Sequence, residues 1–154
     1  MTDTKEEQPG ARRRPRPASP RANSTRKAGR AARAASAEEA RKLALVVASA
    51  ALEKKALAVE ILDVVGKVDY ADFLVLMTGR SNRHVDSLAQ EIEAACAKKK
   101  RRALSTEGKS NASWVLIDFG DVVVHIFQED ARGLYDIEGL WLDAKRLPVP
   151  GQNP

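Results

Sequence analysis

Two apolar runs constrain the fold more than any other feature of this chain. Residues 73–77 read Phe-Leu-Val-Leu-Met, and residues 122–127 read Val-Val-Val-His-Ile-Phe. Both are of strand length. A strand that is apolar on both faces needs cover on both faces. Helix-periodic segments flank these runs, so the pattern predicts a mixed α/β protein: a central mixed sheet with helices packed against it.

The remaining elements follow from local chemistry. Ser36 followed by Glu39 resembles a capping box, which predicts a helix over about Ala37–Lys54. Leu43, Val46, Val47 and Ala50 form its apolar stripe. Residues 57–65 alternate as a strand, with Val59 and Ile61 on one face. Ser81 can cap a second helix whose stripe is Val85, Leu88, Ala89, Ile92, Ala95 and Cys96. That helix runs out in Lys98-Lys99-Lys100-Arg101-Arg102, cations whose first reading is to complement the negative end of a helix dipole and whose second is an RNA patch. A short strand is expected over 103–106, then a polar loop over 107–113. A hairpin follows, pairing 114–118 with 122–127 around Phe119-Gly120, where glycine can take the positive φ of a tight turn. Helical turns are expected within 128–143. Pro148 and Pro150 mark a frayed end.

Charge divides the chain. Residues 1–35 hold ten Lys/Arg and three acidic residues, a net of +7, whereas the rest holds 16 basic and 18 acidic residues, a net of −2. The first segment lacks large apolar residues after Met1, so it cannot bury enough surface to offset its ordering entropy. The expected organisation is therefore a disordered basic tail over 1–35, a folded domain over 36–145 and a flexible C-terminus over 146–154. The tail reads either as a weak, salt-sensitive contact with RNA phosphates or as a solubilising extension. No apolar run approaches the ~18 residues of a membrane span. The single cysteine, Cys96, rules out an internal disulfide.

Chemistry is thin. His84, His125 and Cys96 form no metal-ligand spacing, so no metal or other cofactor is expected. Ser81 with His84, or Cys96 with His125, are the available nucleophile–base pairings. Capping accounts for Ser81, and a place on the apolar stripe makes Cys96 a buried inert thiol. Thr78-Gly79-Arg80-Ser81 joins a strand to a helix N-terminus and can hold an anion, but the P-loop pattern is absent. No Asp-x-Asp pair follows it, and Asp118 and Asp121 more simply serve turn formation. No enzymatic activity is expected.

Five stretches then carry a resemblance: Asp69–Phe73, Thr78–Val85, Glu107-Gly108, Trp114–His125 and Tyr135–Trp141. In this order and spacing they resemble the ribosomal silencing factor family, the Iojap-related proteins, over about residues 38–143. The resemblance implies a fold similar to nucleotidyltransferases without their catalytic carboxylates. It also implies binding to the large ribosomal subunit through ribosomal protein fourteen, which blocks joining of the small subunit and represses translation in the cytoplasm. The alternative it leaves is a factor for large-subunit assembly. Within that role Trp114 is expected as an exposed anchor, with Leu116 and Asp118 on its face of the strand. Glu107, Asp121, His125 and Glu138 are expected as polar contacts. Exposed strand edges leave a symmetric homodimer open.

Overall fold

The computed structural model describes residues 26–108, 113–135, 139 and 143–151. The elements run α1 (Arg26–Glu53), β1 (Leu57–Asp63), β2 (Phe73–Gly79), α2 (Asn82–Lys98), β3 (Ser105–Glu107), β4 (Trp114–Asp118), β5 (Val122–Gln128), α3 (Glu129–Tyr135) and β6 (Lys145–Leu147). The strands form one six-stranded sheet in the order β3-β4-β5-β2-β1-β6. β2 and β5 pair in parallel at its centre, and every other pairing is antiparallel. The two runs expected to need double cover are thus the two innermost strands. Every residue of β2 is buried.

Strand alternation sorts the core into two layers. On one face, Val59, Ile61, Phe73, Val75, Met77, Val115, Ile117, Val124 and Ile126 pack under α1 and α2. α1 contributes Ala40, Leu43, Ala44, Val47 and Ala51, and α2 contributes Val85, Leu88, Ala89, Ile92 and Cys96. On the opposite face lie Leu62, Leu74, Leu76, Leu116 and Val123. Beside them, Trp114 and Phe127 pack with Ala131 of α3.

β3 starts at Ser105 and takes in Glu107, two residues later than the strand expected over 103–106, and three other boundaries also differ. α1 begins at Arg26, so Ser36 lies inside a helix and caps nothing. The Ala-rich composition of 28–37 carries high helix propensity, and it extends the helix into a segment read from its charge as tail. β1 stops at Asp63, whose Oδ1 accepts from the Val65 N–H at 3.0 Å and starts the turn. β6 forms where a flexible C-terminus was expected. It pairs Leu147 with Ile61 and Lys145 with Asp63, and Arg146 Nε reaches Glu60 Oε1 at 3.1 Å. Residues 1–25 of the expected tail over 1–35, the tip of the polar loop at 109–112 and the end of the chain at 152–154 lie outside the described residues.

Candidate functional site

The expected contact residues separate into two groups at opposite ends of the β4–β5 hairpin. The first is built on the sheet face turned away from α1 and α2. Register places Glu107 beside Leu116, Leu116 beside His125 and His125 beside Leu76, a row across four strands. Two residues along each strand, on the same face, Trp114 pairs with Phe127. Their rings stack at 5.3 Å between centroids, and His125 lies parallel to Phe127 at 6.0 Å.

Trp114 is the main correction here. Expected as an exposed anchor, it is only 7% exposed, and its indole Nε1–H donates to His125 Nδ1 at 3.1 Å. The strand parity that put Trp114, Leu116 and Asp118 on one face is right, but alternation does not say what covers a face. Leu116 is also buried, so Trp114 and Leu116 offer a partner little surface. His125, expected as a polar contact, is 5% exposed. Its Nδ1 accepts from Trp114, which leaves the ring proton on Nε2. Burial without a compensating charge lowers its pKa from the ordinary 6.5 to about 4. Glu107 on β3 is half-buried.

The second group surrounds the hairpin turn. Asp118 Oδ1 accepts the Gly120 N–H at 2.8 Å, an Asx turn that supports the positive φ of Gly120. Asp121 Oδ1 sits 2.6 Å from Arg101 Nη2, which also donates to the Phe119 carbonyl at 3.3 Å. The Asp121 carbonyl accepts from the backbone N–H of Asp72 and Phe73. Desolvation, then the charges of Asp121 and Asp63, raise the pKa of Asp72. The Asp118 and Asp121 side chains therefore hold the turn, as expected. Both remain half-buried rather than enclosed. Glu138 lies outside the described residues, as do Leu140 and Trp141.

The pairings considered for catalysis do not assemble. Ser81 Oγ accepts the His84 backbone N–H at 3.1 Å and caps α2. The His84 ring is engaged at both nitrogens: Nδ1 accepts from the Arg80 N–H at 2.9 Å, and Nε2–H donates to the Lys54 carbonyl at 2.7 Å. That ring ties the start of α2 to the end of α1. It also occupies the Arg80 N–H, one of the donors an anion at this turn would need. Gly79 is required here because a Cβ would meet a Val85 methyl at 2.8 Å. Cys96 lies in the helix-side core and His125 on the other side of the sheet, so they cannot form a dyad. Burial raises the Cys96 thiol pKa to about 11. Among the described residues, no group of three or more His, Cys, Asp or Glu is placed to hold a metal ion.

Two arginines were not anticipated. Arg101 was read as one more cation in a run, yet it braces the hairpin turn. Arg132 donates from Nη1 to the Ala58 carbonyl and to Thr78 Oγ1, each at 2.8 Å. It thereby holds α3 to a bulge in β1, where Ala58 has a φ of 48° and the register shifts. No local sequence signal marks either role.

The sequence pattern of the family described as "Ribosomal silencing factor during starvation" matches residues 37–154. The chain belongs to the ribosomal silencing factor family. The Zymomonas mobilis ribosomal silencing factor is 30% identical over 127 residues, covering 82% of this chain and 87% of that protein. The Haemophilus influenzae member is 39% identical over 79 residues, 51% of this chain and 78% of its own length. A crystal structure of a Chromobacterium violaceum protein superposes with a TM-score of 0.65 at 30% identity, covering 75% of this chain and 89% of that one. Membership in the silencing factor family supports a ribosome-associated, translation-regulating role. Among the described residues, no helix is long and apolar enough to cross a membrane.

Proposed function

We propose that this chain binds the large ribosomal subunit through ribosomal protein fourteen and sterically prevents the small subunit from joining. Translation is thereby repressed in the cytoplasm, without catalysis. The observation that carries this reading is the family match over residues 37–154. The engagement of both His84 nitrogens, the burial of His125 and the raised thiol of Cys96 favour a binding role over a chemical one. We read the fold as a nucleotidyltransferase-like sheet whose strand-to-helix turn serves helix packing and whose turn aspartates hold a hairpin.

The contact surface in this reading is the β3–β4–β5 end of the sheet. Glu107 and Asp118 lie half-buried there, Asp121 pairs with Arg101, and Trp114, Leu116 and His125 pack in the same part of the sheet. A body of net −2 suits a basic ribosomal protein, chiefly through steering and orientation. Calorimetric titration of the full chain into isolated ribosomal protein fourteen tests the partner. Saturable binding is expected, weakened severalfold by Glu107→Lys and falling with added salt. A titration without binding would remove ribosomal protein fourteen as the partner.

A further inference from the structure

From the last residue of α2 onwards the chain carries five consecutive cations, Lys98 to Arg102. Two structural demands explain part of the run. The negative end of a helix dipole amounts to about half a charge, which one or two nearby cations satisfy. Arg101 is engaged by Asp121 and the Phe119 carbonyl. The other four, Lys98, Lys99, Lys100 and Arg102, are more than the dipole needs. All four are exposed, and no side-chain hydrogen bond or ion pair engages them among the described residues.

The fold adds to this end of the molecule. The His84–Lys54 bond joins the start of α2 to the end of α1, and further along the two helices share a groove lined by Leu45 and Lys98. The helices therefore run in opposite directions, and the end of α2 lies beside the middle of α1. From Leu45, α1 continues back to Arg26, roughly 28 Å at 1.5 Å per residue. Beyond it in the chain comes the segment with Arg12, Arg13 and Arg14. From the groove, α1 thus runs on past the four exposed cations towards its start at Arg26.

We propose that Lys98, Lys99, Lys100 and Arg102 form a docking surface for the phosphate backbone of RNA. The choice of RNA as the polyanion rests on the ribosome-associated reading. Physical chemistry disfavours the other anionic surfaces. Stable anchoring to a membrane takes an apolar helix face or a lipid chain in addition to basic charge. The apolar stripe of α2 is buried in the core, and Leu104 is the one large apolar residue exposed beside the cluster, among the described residues. Interfaces with protein are depleted in lysine and are built on apolar and aromatic anchors. Phosphate contacts need only accessible cations, and they position a protein without reading sequence.

The test is binding of the full chain to a short mixed-sequence RNA duplex across a salt series, with phosphatidylserine vesicles as the competing surface. The variant K98Q/K99Q/K100Q/R102Q changes only exposed side chains, and thermal melting confirms that it folds. K54Q/K55Q, at the other end of the helix pair, is the control. At ~0.9 per phosphate contact, the variant should show a log K against log salt slope shallower by about 3 and an affinity roughly ten-fold or more weaker at moderate salt. The control should match the parent chain. A quadruple variant with unchanged affinity and slope would overturn the proposal, as would a parent chain that binds the vesicles and not the RNA. The duplex assay contains no ribosomal protein, so its failure is separable from failure of subunit binding.

Discussion

His125 is the residue at which burial and titration meet. Its folded pKa of about 4 lies below the ordinary 6.5, so between those values the unfolded chain binds a proton that the folded chain does not. Its contribution is complete above about pH 6.5 and is lost as pH falls towards 4. At 1.36 kcal/mol per pKa unit, lowering the pH from 7.5 to 4.5 should remove roughly 2–3 kcal/mol through this group. His125→Gln keeps an acceptor for the Trp114 indole N–H but cannot titrate, so its urea-unfolding stability should fall less over that interval. Equal pH dependence of the two proteins would show that another group governs the acid limb. Gly108 is the second informative position. Its φ is +88°, and a Cβ there would collide with the Trp114 carbonyl oxygen. Gly108→Ala should destabilise the domain by about 2 kcal/mol or more, combining left-handed strain with displacement of a neighbouring strand. Denaturant midpoints measure it directly.

At the scale of elements, α1 and α2 end alike. The Lys55 N–H reaches the Leu52 carbonyl and the Ala56 N–H the Ala51 carbonyl; the Lys100 N–H reaches the Ala97 carbonyl and the Arg101 N–H the Cys96 carbonyl. Both are Schellman motifs, with lysine at the left-handed position that usually holds glycine, at φ 64° in each case. Lys55→Gly should relieve that strain and raise stability by about 0.5–1 kcal/mol, net of the entropy glycine loses. A lower melting temperature would contradict this. The elements legible in the sequence are those with a local cause. α2 was readable because its stripe has helical spacing and Ser81 caps it. β2 and β5 were readable because apolar runs of strand length demand central positions. β6 was not, because a three-residue edge strand has no period of its own and exists only by pairing with β1. The early start of α1 was hidden because residues 26–35 hold no large apolar residue, so no apolar stripe marks a helix there.

Across the whole molecule, the candidate surface was legible only in outline. Strand parity put Trp114, Leu116 and Asp118 on a common side of the sheet, but the burial of Trp114 and Leu116 there arises from packing between elements distant in sequence. The braces formed by Arg101 and Arg132 depend on the same kind of contact. What the assembled domain offers is a stable sheet end edged by Glu107, Asp118 and Asp121, with its histidines and its cysteine occupied in holding the fold. Such a body can act by occupying space on a larger assembly. The most direct measurement is sedimentation of the purified chain through a sucrose gradient with large ribosomal subunits, followed by addition of small subunits. The chain should travel with the large subunit and reduce the yield of joined ribosomes in proportion to its occupancy. Large subunits that carry the chain and still join small subunits would contradict steric exclusion and point to a role in subunit assembly.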